Sequence, residues 1–267
     1  MRPMILTSLR ERLHSAAILS AVGLGLIWLY SAIYPSLAHQ SAAYNRIIGS
    51  ISPSILKAFG ASGTGLNSLG DFLASKQFGL TWPLLMIFLG ISLAGAMLTQ
   101  EIEQTTLGLW LAAPVSRAKV YWSKYIAGFV LLLIAVAFSV LSIIPVARLY
   151  HISVNTDYIW WLALVGFLYS WAVFSLGVLV GSLVSKRSRL YLPVGLLLLI
   201  MFVFNVVADL NDHLTNLKYV SFFYYFSPSN ILNGLGTNHV SFIVFPICAA
   251  LCTIAGLAYF RARDFVI

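Results

Sequence analysis

Charge is what this sequence lacks. Only 9% of its 267 residues are Asp, Glu, Lys or Arg, 60% are apolar, and mean hydropathy is +0.91, whereas a soluble domain carries about 25% charged residues. So few charges cannot clothe a water-facing surface, and the apolar runs leave no stretch long enough for an independent soluble domain. Cysteine is nearly absent as well. Cys248 and Cys252 lie one helical turn apart in an apolar run, where a disulfide is geometrically awkward and a metal site lacks further ligands, so they read as packing residues. There is no G-x-x-x-x-G-K-[ST] loop, so the chain does not cradle a nucleotide in that way. His14, His39, His151, His213 and His239 are far apart, and no carboxylate pair or nucleophile–base constellation recurs near an apolar run, which argues against an intramembrane protease or transferase.

What is present is a set of six uncharged stretches, each long enough to cross a hydrocarbon layer of about 30 Å as a helix rising 1.5 Å per residue. They are expected at residues 15–34, 78–98, 125–147, 159–183, 190–208 and 240–260. The first follows a basic segment, yet it is about twice the length of a secretory core and has no clear small-residue cleavage site, so it is expected to remain as a span. No Asp, Glu, Lys, Arg or His falls inside these six stretches, which weighs against a proton-coupled carrier or a channel with a charged filter.

The formal net charge of +8 does not point to nucleic acid, because the 16 Lys and Arg residues sit in short clusters between apolar stretches. Arg2, Arg10, Arg12, Arg117, Lys119, Lys124, Lys186, Arg187, Arg189, Arg261 and Arg263 fall on one side, against Arg46, Lys57, Lys76, Arg148 and Lys218 on the other. By the positive-inside rule both termini are expected to be cytoplasmic. Of the two long outer connections, 35–77 carries two short helical candidates, Pro53 to Phe59 and Leu69 to Phe78, around a Gly-rich run. The other, 209–239, carries Phe222, Phe223, Tyr224, Tyr225 and Phe226, too apolar for a solvated loop. It is expected to dip back into the outer leaflet under a cover of protein.

The most informative stretch lies between the second and third spans and reads Glu101-Ile-Glu-Gln-Thr-Thr-Leu-Gly-Leu-Trp-Leu-Ala-Ala-Pro-Val-Ser-Arg117. The spacing predicts a short amphipathic helix from about Glu101 to Ala112, with both acids at its positive dipole end and Pro114 as its stop. Two readings stay open on these grounds: a lever whose apolar knobs fill a groove on a partner, or a helix lying on lipid.

This stretch resembles the core segment of the ABC-2 permease family, E-x-E/R-x-x-T-L-x-x-L-L-x-x-P-V-S-R followed by a lysine-bearing entry into the next span. The matching positions are Glu101, Glu103, Thr106, Leu107, Trp110, Leu111, Pro114, Val115, Ser116, Arg117 and Lys124, with Trp110 standing where the family usually has Leu. Looser matches are Phe59-Gly60 with Phe72-Leu73, the segment Leu217 to Tyr225, and the tail Tyr259 to Phe265. The resemblance implies an all-α, polytopic subunit of the ABC-2 type, exporter-like (type V) fold. Residues 1–14 form an amphipathic N-terminal segment and 99–117 a cytoplasmic coupling helix. It further implies a bacterial cytoplasmic (inner) membrane location, two cytoplasmic ABC ATPase subunits that bind ATP and Mg, and a second permease, identical or paralogous. The chain itself is expected to hold no cofactor and to be no enzyme. Its expected work is export of a hydrophobic or amphipathic substrate such as a lipid, peptide or antibiotic; the alternative is a membrane scaffold or sensor that uses an ATPase without carrying cargo.

Overall fold

The computed structural model describes residues 2–38, 40–51, 68–103 and 116–263, and of Glu101 and Ile102 only the backbone. Nine α-helices organise these residues. α1 is Arg2–Ala38, α2 Ser41–Ser50 and α3 Leu69–Thr99, which continues through Gln100–Glu103. α4 is Arg117–Leu149, α5 Thr156–Leu183 and α6 Ser188–Leu210. A 3-10 stretch, Asp212–Val220, leads to the short helices α7 (Phe222–Tyr225) and α8 (Pro228–Leu232), and α9 is Ser241–Ala262. Six of them, α1, α3, α4, α5, α6 and α9, are long and apolar enough to cross a membrane, and the all-helical six-span architecture is the expected one.

The helices run beyond the apolar stretches that announce them. α3 starts at Leu69, where the Ser68 hydroxyl caps it by accepting the Asp71 N–H at 3.0 Å. The stretch Leu69 to Phe78, read from sequence as a separate surface helix, is therefore the first part of the second span. Its polar residues are covered by tertiary packing: Asp71 is 7% exposed and Gln77 fully buried. Likewise α4 begins directly after Ser116, whose hydroxyl accepts the Lys119 N–H. Lys124 consequently lies two turns inside the helix and is 3% exposed. The expectation that no ionisable residue falls within a spanning helix is thus corrected at the helix ends. The cause is length: 31 and 33 residues at 1.5 Å each exceed an apolar layer of about 30 Å, so the outer turns carry charge.

Two turns of α3 are π-helical, Ala74–Thr81 and Gly95–Thr99, on either side of the regular α stretch Trp82–Ala94. α4 loosens at Ser142, where Pro145 has no N–H to bond back to Leu141.

The central contact is between α3 and α5, and small residues make it. A Cβ on Gly177 would stand 2.9 Å from the Ala94 Cβ, and one on Gly90 would stand 3.2 Å from Val173. The two small-xxx-small steps, Gly90/Ala94 and Gly177/Gly181, therefore face each other within one chain and let the two backbones approach closely. α5 also packs along α9, and α1 along α4. Tyr125 ties three spans together: its hydroxyl accepts from Trp171 Nε1 at 2.7 Å and lies 2.8 Å from Ser175 Oγ and 2.9 Å from Thr253 Oγ1. α6 stands at the periphery with its apolar side chains outward, Leu192 being 72% exposed and Leu199 56%.

Candidate functional site

Of the residues singled out in the 99–117 stretch, Glu103, Ser116 and Arg117 lie among the described residues, as does Lys124 beyond it. Thr106, Leu107, Trp110, Leu111, Pro114 and Val115 lie outside them, and Glu101 is placed by its backbone alone at the end of α3.

The described ones take part in a network at the end of the bundle where the basic residues gather. The Glu103 carboxylate accepts the backbone N–H of Arg187 at 3.0 Å. The Arg187 side chain then spreads over α3: Nη1 donates to Gln100 Oε1 at 3.2 Å, Nη2 to Ser92 Oγ at 3.2 Å, and Nε to the Tyr191 hydroxyl at 2.9 Å. A guanidinium alone offers donors in this fork. Room for it comes from Gly95, where a Cβ would meet Leu190 at 3.0 Å and Arg187 Cγ at 3.2 Å. Gln100 also accepts from Arg12 Nη2 at 2.8 Å, which brings α1 into the same cluster.

On the far side of the undescribed residues, Arg117 Nη1 donates to the carbonyls of Arg261 and Arg263 at 3.1 and 2.6 Å. Arg263 reaches on to α5, donating from Nη1 to the Ser182 and Val184 carbonyls at 2.9 and 3.0 Å and from Nη2 to Ser185 Oγ. The last carbonyls of a helix have no partner of their own and carry partial negative charge, so a guanidinium suits them twice over. Lys124 donates to Ser8 Oγ at 2.8 Å, fixing the N-terminal part of α1 to α4.

Both flanks of residues 104–115 thus converge on one short connection. Glu103 reaches Arg187 directly, and Arg117 reaches Ser182, Val184 and Ser185 through Arg263. Sequence reasoning took Arg12, Arg187 and Arg263 as topological charge only, and did not single out Gln100. The clusters Lys186-Arg187-Ser188-Arg189 and Arg261-Ala262-Arg263 were the available signal, but their partners are main-chain carbonyls and distant polar groups that no local pattern announces.

The opposite end is closed by aromatic residues. Phe226, between α7 and α8, stacks on Trp82 of α3 at 5.4 Å and on Tyr169 of α5 at 5.2 Å between centroids. Phe222, Phe223, Tyr225 and Phe226 are all buried. Ser241 Oγ donates to the Tyr225 carbonyl at 2.8 Å and the Tyr225 hydroxyl to the Tyr219 carbonyl at 3.0 Å, so the segment's polar atoms are paired as it turns into the bundle. Burial, then the neighbouring Tyr224 and Tyr219, pushes the Tyr225 hydroxyl above the usual phenol range, which keeps it a donor. Gly166 admits the plug: a Cβ there would stand 2.7 Å from the Trp82 ring.

Six apolar helices, packed through small residues and joined by cationic contacts at one end, make this a multi-pass membrane protein. The chain belongs to the ABC-2 family: the family model described as ABC-2 family transporter protein matches residues 9–265. It is accordingly the membrane permease component of an ABC transporter, a class that associates with an ABC ATPase partner. Against curated proteins the chain finds no match.

Proposed function

We propose that this permease exports a hydrophobic or amphipathic substrate and receives its driving force through residues 99–117, which contact the partner ATPase at the cytoplasmic face of a bacterial inner membrane. Both termini lie on that face, where most of the basic residues gather. A second permease, identical or paralogous, completes the pathway, and the peripheral apolar face of α6 has the character that such a neighbour or lipid requires. Two ATPase subunits bind ATP and Mg.

One observation carries the coupling role. Glu103 and Arg117 flank the stretch, and each is hydrogen-bonded, directly or through Arg263, to the connection between α5 and α6. A push on the stretch therefore reaches α3, α4, α5 and α9 together. The shift it produces is bounded by the difference in interaction energy between the two states of the partner.

The test is a double substitution, Glu101→Gln with Glu103→Gln, in the complete complex reconstituted into vesicles. A glutamine keeps an oxygen for the Arg187 N–H, so the pair removes charge and leaves the tether. ATP hydrolysis is expected to persist while transport falls away. Full transport with full stimulation of hydrolysis would overturn the coupling role.

A further inference from the structure

At the end away from the arginine network, a cavity of about 590 Å³ opens between the last turns of α6, the α7–α8 segment and the Asn233–Asn238 turn. That volume suits a ligand rather than a stray water. Its inner wall is aromatic, formed by Phe202, Phe223, Tyr224 and Phe226. The wall is built before any ligand arrives: Phe226 is clamped between Trp82 and Tyr169, and Phe202 meets Phe223 edge-on at 5.2 Å.

Its rim is polar and carries one sign of charge. Asp209 is the ionisable residue of the lining, and no Lys, Arg or His lines the cavity. Beside it stand Asn205, Asn230 and Thr237, and among the described residues none of these four side chains makes a hydrogen bond within the chain. Gly236, at φ +93°, turns the backbone along this rim in a conformation that side chains rarely adopt.

A second observation gives the sign of the ligand. The ammonium of Lys218 sits 5.2 Å from the centroid of the Tyr224 ring and 5.3 Å from that of Tyr219. The chain's own cation thus already uses one of the wall residues as a cation–π partner. An anionic group would meet Asp209 and the negative faces of four rings.

We propose that this cavity binds the ammonium-bearing end of an amphipathic molecule, with Asp209 as its counter-ion, Asn205 and Asn230 as hydrogen-bonding partners and the aromatic wall against its apolar stem. As cargo this ligand deepens the export reading and rests on it; as a binding site it stands alone.

The experiment uses the full chain in lipid nanodiscs and a photoactivatable tetradecylamine, with the matching tetradecyl phosphate as the opposite-charge probe. The amine is expected to label peptides within residues 202–238 saturably and the phosphate to label them weakly. Asp209→Asn should raise the half-saturating amine concentration about tenfold, Asp209→Glu should restore it, and Asn205→Asp should lower it severalfold. The last of these keeps the test open to failure through a gain, whatever the loss variant does to folding. Equal labelling by the phosphate, labelling elsewhere, or indifference to all three substitutions would overturn the proposal. Competition by phosphatidylethanolamine in the disc assigns the ammonium to a lipid headgroup, and its absence to a free amphiphile. Intact labelling in a complex that fails to transport would count against export alone, whereas a transporting complex without labelling would count against this site alone.

Discussion

The Arg117 guanidinium donates to the Arg263 carbonyl at 2.6 Å, joining the first turn of α4 to the residue that follows α9. Since Arg263 itself holds the end of α5, Arg263→Ala removes the link between the two flanks of the 99–117 stretch while sparing the apolar core. It is expected to cost about 1 kcal/mol, a charged hydrogen bond discounted for partial exposure. The larger effect is expected on the number of ATP hydrolysed per substrate moved, which should rise in reconstituted vesicles. A ratio equal to the parent's would remove Arg263 from the coupling path.

Arg187 poses a geometric question. Its three side-chain nitrogens serve Tyr191, Gln100 and Ser92, and a lysine ammonium at the end of a flexible stem cannot reach all three from one position. Arg187→Lys should therefore behave like Arg187→Ala in transport assays, although charge is kept. Rescue by lysine would mean that charge alone matters there.

Gly166 and Gly195 make opposite predictions for one change. Alanine at 166 drives a methyl into Trp82 and disturbs the Trp82–Phe226 stack, at a cost of about 1–3 kcal/mol. Alanine at 195 meets nothing within 4 Å and should be neutral or stabilising by up to about 1 kcal/mol from helix propensity. Thermal melts of both variants in the same detergent decide it.

Two tyrosines divide in the same manner. Tyr169 is fully buried with a hydroxyl that finds no partner, so Tyr169→Phe removes a desolvated group and should raise stability by about 1 kcal/mol. Tyr125→Phe strips a hydroxyl that serves three spans and should lower it by at least as much. If Tyr169→Phe destabilises, its hydroxyl has a ligand or water in the working protein.

The six spans were legible because a run of about 20 apolar residues has few other uses. Their ends were not. Asp71, Lys76 and Gln77 interrupt the apolar pattern before the second span, but Asp71 and Gln77 are buried by α1 and α8, and that burial exists only in the assembled bundle. Lys124 was placed outside its helix for the same reason: its partner, Ser8, lies 116 residues away. The 99–117 stretch was found through its acids, threonine and proline, whereas the arginines that anchor its flanks act across 79 to 146 residues and mostly on backbone oxygens. The aromatic run 222–226 was read correctly as too apolar for solvent, yet its partners Trp82 and Tyr169 are not adjacent to it in sequence.

The wide turn at Gly95–Thr99 has one more consequence. A π turn holds an extra residue relative to the α turn it replaces, so it sets the azimuth of everything after it. Removing a single residue from that turn would let the helix rewind, swinging Gln100 and Glu103 about 100° around the axis and away from Arg187. The chain would keep its composition, its six spans and its hydropathy profile, and still aim its lever at the wrong neighbour.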